Sequence, residues 1–439
     1  MGWRFGFLLL AFALQAAPVS AQAPEEPEIV RYQMREGDTL YTLAERHFRR
    51  IGDYAIVQRL NGIRNPRRIA IGRTLRIPKR LLSSEPVVAR IISFRGNVQL
   101  LRDGRELPVS AGMAAREGDE LATGANSFVS LGLPDRSAVA LPSQSRVRID
   151  RLRRLSLTGA VERLFSVEQG RVRAVVSPLD ETDEFHVTTP ISVSAVRGTE
   201  FRVRYDAGAA RAITETLSGE VRMSTAREMR RDLPAGFGAV ASDMELSAPV
   251  SLLPAPSLVA PGKIQDDSGL VFELTALAGA RAYHVQIARD AGFLDTVSEA
   301  TSQTTEVRLP PVGDGTWFVR VAAIDGRGLE GMYEIYGFQR RLNAISANVV
   351  VSRAGDYRQY LFLWKVMGKG ERQYRFQLSR QEDGSDPIVD EIGLTEQRFA
   401  ITDLPPGTYY WRVETLQFID GEAYGRWSRT ERLTISKAQ

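Results

Sequence analysis

The sequence predicts a mainly β protein of several domains: a small βααβ module, an all-β domain and two β-sandwiches. Three observations support this fold class. The chain has 439 residues, too many for one domain, since a domain averages about 150 residues. Short alternating segments separated by Gly, Pro, Asn and Asp fill its middle, which is typical of all-β domains. The last third repeats after about 91 residues, the size of one β-sandwich.

The N-terminus has the features of a secretory signal peptide over residues 1–21. Arg4 supplies a positive charge, Phe5–Leu14 a short apolar region, and Val19-Ser20-Ala21 a small-residue cleavage site. The cleavage point carries no cysteine, so a lipoprotein is excluded. No other apolar stretch reaches the length of about 18 residues that a membrane helix needs. We therefore expect a soluble protein in a Gram-negative periplasm.

Composition argues against several classes of function. The 57 Lys and Arg residues nearly balance the 53 Asp and Glu residues, which disfavours a dedicated nucleic-acid binder. The absence of cysteine excludes thiol nucleophiles and disulfides. His47, His186 and His284 fall in three different predicted domains, so they form no zinc-ligand cluster. No Walker or dinucleotide-binding loop is present, and we expect no catalytic activity, metal or cofactor.

Residues 29–80 predict the βααβ module. Asp38 is the expected N-cap of a first helix, and residues 40, 43, 44 and 48 place apolar side chains on one helical face. A second helix fits Tyr54–Leu60, and a closing strand fits Thr74–Ile77. About thirteen basic residues and four acidic ones lie between positions 31 and 80, which fits either a solvated basic face or attraction to anionic wall peptides.

Both ends of this module resemble the LysM domain. The opening reads Y-Q-M-R-E-G-D-T-L-Y-T-L-A and the close reads L-N-G-I-R-N-P-R-R-I-A-I-G-R-T-L-R-I-P. The resemblance implies binding of glycans that contain N-acetylglucosamine, chiefly peptidoglycan. It places the ligand groove between two loops, with backbone amides available to the sugar. The implied glycan-binding residues are Gly37, Asp38, Thr39, Leu40, Asn61, Gly62 and Ile63. Helix capping by Asp38 and core packing by Leu40 and Ile63 are the structural alternatives.

Residues 88–241 predict the all-β domain. Asp103-Gly104 is a hairpin signal. Farther on, the extended segment Thr189–Val196 breaks at Arg197-Gly198-Thr199 before a second alternating segment, Phe201–Tyr205. A glycine between two strands indicates a tight corner rather than a catalytic loop.

This block, with V-E-Q-G-R-V-R-A and L-S-G-E-V-R-M around it, resembles the periplasmic FecR domain. We expect a structural role for its motif residues, which are Thr189, Pro190, Arg197, Gly198, Thr199 and Phe201. We expect Arg197 to pair locally with Glu200, the alternative being an acidic group of a partner. Well-known FecR regulators carry an anti-sigma segment and a membrane helix. Here a signal peptide and a LysM-like module stand in their place, which favours a protein-binding or scaffold role.

A Pro-rich, partly extended linker is predicted over residues 247–262, followed by sandwiches over 263–345 and 346–437. Ala282–Arg289 aligns with Gln373–Arg380, and the strand L-P-P-G-T-Y-Y-W-R-V resembles fibronectin type III-like domains. Trp364, Trp411 and Trp427 are candidates for a sugar platform, although core packing and stacking on arginine are the commoner uses of tryptophan.

The sequence as a whole favours a peptidoglycan-binding scaffold of the cell envelope, whose β-modules meet an unidentified protein or glycan partner. The alternative is a periplasmic sensor subunit that signals through a separate membrane partner.

Overall fold

A computed structural model describes residues 28–354, 357–419 and 421–436; the predicted signal peptide lies outside them. These residues form two compact units. One holds the described residues through Glu85 together with Arg154–Gly159, and the other holds Pro86–Arg153 and the described residues from Ala160 onward. Within the described residues no helix is long and apolar enough to cross a bilayer.

The first unit has the predicted βααβ order. Ile29–Gln33 pairs antiparallel with Thr74–Pro78. Helix α1 spans Leu40–His47 and helix α2 spans Tyr54–Leu60, with short 3-10 helices at Ile51–Asp53 and Lys79–Leu81. The predicted apolar face of α1 is buried: Leu40, Leu43 and Ala44 are at most 2% exposed.

Residues after the closing strand still belong to the core of this unit. Leu81 and Leu82 are buried, and the Ser83 amide donates to the carbonyl of His47 at 2.8 Å. The amide of Ser156 donates to the carbonyl of Ser83 at 3.1 Å, which ties residues 154–159 to the same unit. An isolated fragment that ends at residue 80 would therefore lack part of its own packing. A short strand, Ser84–Pro86, follows in the chain.

The all-β domain packs its strands around one apolar core, and their backbone pairings form a closed circuit. The hairpin predicted at Asp103-Gly104 is present, with Arg102 opposite Arg105. The strands are Ala89–Arg95, Val98–Arg102, Arg105–Leu107, Ala114–Ala115, Glu120–Thr123, Phe128–Gly132, Ala138–Leu141, Arg146–Leu155, Val161–Val175, Glu184–Thr188, Ser192–Val196, Glu200–Asp206, Arg211–Ser218, Glu220–Thr225, Arg230–Pro234, Phe237–Ala241 and Val250–Ser251.

The long strand Val161–Val175 organises this domain. Its first half runs parallel to Glu184–Thr188, and its second half runs antiparallel to Glu200–Asp206. Phe165 of this strand meets Phe185 and Phe201 in the core. The ring centroid of Phe185 lies 5.5 Å from that of Phe165 and 6.3 Å from that of Phe201. The strands on either side of the predicted corner are thereby fixed to one core.

The Pro-rich segment 247–262 is packed rather than free. Val250–Ser251 pairs with Phe237–Gly238. Leu252 is buried in a small cluster with Ile213, Leu217 and Leu329. Leu258 belongs to the core of the first sandwich. The segment predicted as a linker thus helps to join the all-β domain to that sandwich.

Two fibronectin type III-like sandwiches complete the second unit. In the first, Leu270–Glu273 pairs with Glu306–Leu309, and a four-stranded sheet follows the order Thr296–Ser302, Ala280–Ala288, Gly315–Asp325, Glu330–Arg340. In the second, one sheet has three strands in the order Ile345–Ala354, Tyr357–Val366, Arg398–Thr402. The other sheet follows the order Pro387–Leu394, Glu371–Ser379, Gly407–Ile419, Glu422–Trp427, and Glu431–Ile435 also pairs with Gly407–Ile419. Strands aligned by the sequence repeat occupy equivalent positions.

Candidate functional site

The first loop of the βααβ module holds itself together through side chains. Thr39, not Asp38, is the N-cap of helix α1: Thr39 Oγ1 accepts from the Thr42 amide at 3.0 Å, and Thr42 Oγ1 accepts from the Thr39 amide at 2.9 Å. The Asp38 carboxylate instead accepts from the Tyr32 hydroxyl and the Arg35 amide, both at 2.8 Å. The expected capping role of Asp38 is wrong, because the carboxylate is used by the preceding turn.

The second loop is also internally bonded. The Asn61 side-chain amide donates to the carbonyls of Val57 and Arg76, and its oxygen accepts from the Arg76 amide, each at 2.8 Å. Asn61 therefore clamps the end of helix α2 to the closing strand. Gly62 adopts a φ of +60°, a backbone conformation that favours glycine.

The backbone amides expected to serve a sugar are occupied within the protein. The Leu40 amide donates to the carbonyl of Pro66 at 3.3 Å, and the amides of Gly62 and Ile63 donate to Arg59 and Gln58. Leu40 is fully buried and Ile63 is 6% exposed, so both belong to the core. These three amides are therefore not free to donate to a sugar.

An open cavity of about 450 Å³ lies along helix α2 and the loop that follows it. Gly62 and Ile63, of the predicted residues, line it. The sequence reasoning missed its other lining residues, which are Ala55, Gln58, Arg59 and Arg64. Ala55, Gln58 and Arg59 lie at i, i+3 and i+4 on helix α2, and this spacing was the available signal, since such residues share one helical face. Gly37 is exposed, with φ +83° and open space around it.

The motif around Gly198 is a structural corner. Thr189 Oγ1 accepts from the Ser192 amide at 3.0 Å across the turn that contains Pro190. Gly198 has φ +71°, and a Cβ there would lie 3.0 Å from Pro178 Cα. Thr199 Oγ1 donates to the carbonyl of Glu220 at 3.1 Å. Phe201 is fully buried.

The expected pair between Arg197 and Glu200 is not formed. Arg197 Nη2 donates to the carbonyl of Glu181 at 2.7 Å. Glu200 binds Arg173 at 2.8 Å and accepts from the Tyr333 hydroxyl at 3.0 Å. Arg197 lies in the corner itself, whereas Glu200 begins the next strand and faces Tyr333 of the first sandwich.

A buried ionic network joins the all-β domain to the first sandwich. Arg202 binds Glu215 at 2.9 Å and Glu330 at 2.7 Å, and also donates to the carbonyl of Gly331 at 2.7 Å. Arg171 binds Glu299 at 2.9 Å. Burial alone would raise the pKa of Glu330, but Arg202 and His284 hold it well below the ordinary value. Because the network is buried, salt screens it little.

His284 belongs to this network and not to a metal site. Its Nδ1 lies 3.1 Å from Glu330 and its Nε2 3.2 Å from Glu299. Burial alone would lower the pKa of His284, but Glu330 chiefly outweighs burial and raises it. Across the described parts of the chain no group of three or more His, Asp or Glu side chains could hold a metal ion.

The three candidate tryptophans form no exposed platform. Trp364 and Trp411 are at most 2% exposed and pack against aromatic rings of the second sandwich. Trp427 is covered by the guanidinium groups of Arg412 and Arg375, which lie 4.3 and 5.6 Å from its ring centroid. Core packing and stacking on arginine account for all three.

Models of two known families match separate parts of the chain. A family described as "LysM domain" matches residues 32–78, and one described as "FecR protein" matches residues 119–222. The first match covers the βααβ module, and the second lies within the all-β domain. No curated protein matches the chain.

Solved structures give distant likenesses. A putative anti-sigma factor from Parabacteroides distasonis ATCC 8503 is 20% identical over 30% of this chain, with a TM-score of 0.26. The chain spans only 59% of the length of that protein. A two-domain fibronectin type-III segment from chicken tenascin is 13% identical over 41% of this chain and 99% of its own, with a TM-score of 0.20. Fibronectin(III)-like modules of Clostridium thermocellum CbhA are 12% identical over 40% of this chain and 90% of their own, with a TM-score of 0.19.

Proposed function

We propose that this protein is a non-catalytic scaffold of the periplasm, which binds peptidoglycan through its LysM domain and presents its β-modules to an envelope partner. The LysM match over residues 32–78 carries the proposal. The open cavity beside helix α2 supports it, because its volume of about 450 Å³ lies in the range of small-ligand sites, about 300–1,000 Å³.

The cavity suggests how such a glycan is held. Ala55 and Ile63 supply apolar surface, and the side chains of Gln58, Arg59 and Arg64 supply the polar groups. Guanidinium groups bind carboxylates well, so Arg59 and Arg64 favour the acidic, peptide-bearing glycan of peptidoglycan over a neutral polymer of N-acetylglucosamine. Signal-peptide cleavage after Ala21 delivers the protein to that compartment and gives a mature N-terminus at Gln22.

A co-sedimentation assay with purified peptidoglycan tests this proposal on the full mature chain. Ala55→Trp fills the cavity, and Ala70→Trp places the same side chain on an exposed loop position as the control. We expect Ala55→Trp to lose most of the pelleted protein and Ala70→Trp to behave like the wild type. Equal pelleting by both variants would remove the cavity as the binding site.

Salt separates groove binding from charge attraction. At about 0.5 M salt the Debye length is only a few Å, so binding by the general basic surface should be lost whereas binding in the cavity should persist. Arg46→Gln, on the exposed side of helix α1, serves as the charge-matched control for Arg59→Gln. Binding that vanishes at this salt concentration would reduce the LysM domain to a non-specific basic surface.

The FecR match over residues 119–222 favours one second candidate, a periplasmic sensor subunit that acts through a separate membrane partner. Crosslinking in the periplasm followed by capture of the full chain distinguishes the two. An inner-membrane regulator among the captured proteins supports the sensor, and wall-synthesis or outer-membrane proteins support the scaffold.

A further inference from the structure

A small cavity of about 30 Å³ lies where the all-β domain meets the first sandwich. Five arginines line it: Arg171, Arg173, Arg202, Arg204 and Arg320. Two carboxylates in its wall, Glu215 and Glu330, face the guanidinium groups. Such a density of arginine in a buried place requires that each positive charge be matched by an acceptor.

Four of these arginines have their acceptors in place. Arg202 binds Glu215 and Glu330, Arg171 binds Glu299, and Arg173 binds Glu200 at 2.8 Å. Arg204 donates to the carbonyl of Gly328 at 2.7 Å. The five guanidinium groups are thus accompanied by four carboxylates, which leaves at least one positive charge in surplus, and the charged form of His284 adds another.

Arg320, like Arg204, has no carboxylate contact among the described residues, and it also lacks the backbone carbonyl that Arg204 has. It is 8% exposed, and its Nε and Nη2 donate to the side-chain oxygen of Gln286 at 3.1 and 2.5 Å. Its guanidinium group lies 4.3 Å from the ring centroid of Phe293 and 5.1 Å from that of Tyr333. Neither an amide oxygen nor a ring face carries a full negative charge.

One donor of Arg320 is unused. Its Nη1 is buried and has no hydrogen-bond partner in the described parts of the chain. Burial, followed by the nearby charge of Arg173, lowers the pKa of Arg320 to about 9. Both facts describe a cation that is buried without its counter-charge, and an unpaired buried donor is costly.

We propose that this cavity binds a small monovalent anion of the size of chloride, which accepts a hydrogen bond from Arg320 Nη1. Such an ion offsets one positive charge of this surplus. Its size fits as well, because a cavity of about 30 Å³ holds only one or two water-sized particles, too few for phosphate or a sugar acid. The ion would complete the contact between the all-β domain and the first sandwich.

Bromide provides the direct test. Crystals of the full mature chain grown in sodium bromide should show an anomalous peak within about 3.5 Å of Arg320 Nη1, the reach of a hydrogen bond to a large anion. Bromide found only at exposed sites, with no peak in this cavity, would overturn the proposal. This experiment uses the wild type and so does not depend on the folding of a variant.

Thermal unfolding tests the site in solution. The melting temperature of the wild type should rise by at least about 2 °C and then saturate as chloride replaces gluconate at constant ionic strength. Gluconate is too large for the cavity. Arg320→Gln should abolish this rise. Arg289→Gln should keep it, because Arg289 also lies over an aromatic ring, Trp317, but is 63% exposed.

Two results would contradict this solution test. If chloride and gluconate stabilise the wild type equally, ionic strength and not a bound ion is responsible. If Arg320→Gln retains the full chloride-dependent rise, the ion binds elsewhere.

Discussion

Replacement of Gly198 by valine should strongly destabilise the FecR domain. Gly198 has φ +71°, and a left-handed conformation costs an ordinary residue about 1–2 kcal/mol, with more for a β-branched one. A Cβ would also lie 3.0 Å from Pro178 Cα and 3.4 Å from Pro178 N, which are backbone atoms that move only with the chain. We expect a total loss of about 3 kcal/mol in the free energy of unfolding.

Gly104 isolates the two contributions. It has φ +73°, and a Cβ there would have no atom within 4 Å, so Gly104→Val carries the conformational cost without the contact with Pro178. For a domain of this size about 1 kcal/mol shifts the melting temperature by roughly 2–4 °C. Gly198→Val should therefore lower the melting temperature by roughly 6–12 °C, and Gly104→Val by about half as much.

Circular dichroism melting of the full mature chain measures both variants. If Gly198→Val melts at the wild-type temperature and loses only a partner, the corner is a contact surface and the structural reasoning fails. If both variants lose the same stability, Pro178 contributes nothing. Peptidoglycan pelleting should persist in either variant, because the LysM domain belongs to the other compact unit.

Three further outcomes follow from the contacts. Thr39→Ala removes the capping box of helix α1 and should lower the free energy of unfolding by about 1 kcal/mol, measured by unfolding of the LysM unit. An unchanged unfolding midpoint would show that Thr39 does not stabilise the helix as its cap. Arg202→Ala leaves Glu215 and Glu330 buried without their main partner and should cost about 3–5 kcal/mol, whereas the exposed Arg308→Ala should be nearly neutral. His284 has a raised pKa, so its charged form contributes stability that is complete below its unfolded pKa of about 6.5 and is lost as pH rises through the folded pKa. His284→Gln should therefore lose most stability relative to the wild type near pH 5.5 and less at alkaline pH, and a difference independent of pH would contradict this assignment.

The parts of the fold that the sequence predicts are those set by local pattern. The apolar spacing of helix α1, the Asp103-Gly104 hairpin and the strands on both sides of Gly198 depend on residues close in the chain. The helix cap was predicted wrongly because Asp38 and Thr39 are adjacent and both can cap. The contacts of Asp38 with Tyr32 and the Arg35 amide across the preceding turn decide between them, and periodicity does not show these contacts.

The site was predicted less well, for a physical reason. Leu40 and Ile63 are apolar residues that the core requires, and the amides around them are occupied by loop contacts with Pro66 and Gln58. The side chains that line the cavity, Arg59 and Arg64, looked in sequence like two members of a general basic surface. Arg59 and Arg64 line one cavity because the loop after helix α2 folds against that helix, which the sequence pattern does not indicate.

The strand Glu200–Asp206 shows why the junction between domains escaped prediction. Its alternation predicts one buried and one solvated face, and Phe201 and Val203 do lie in the core. The opposite face carries Glu200, Arg202 and Arg204, which the pattern assigns to solvent. Arg202 is nevertheless only 9% exposed, because it binds Glu330 of the first sandwich. Glu330 lies 128 residues away in the chain, so no local pattern indicates this burial. The FecR corner therefore has two consequences at once: it closes one core, and it directs the next strand's charged face to the first sandwich. These buried charges therefore connect the strand that follows Gly198 directly to the first sandwich.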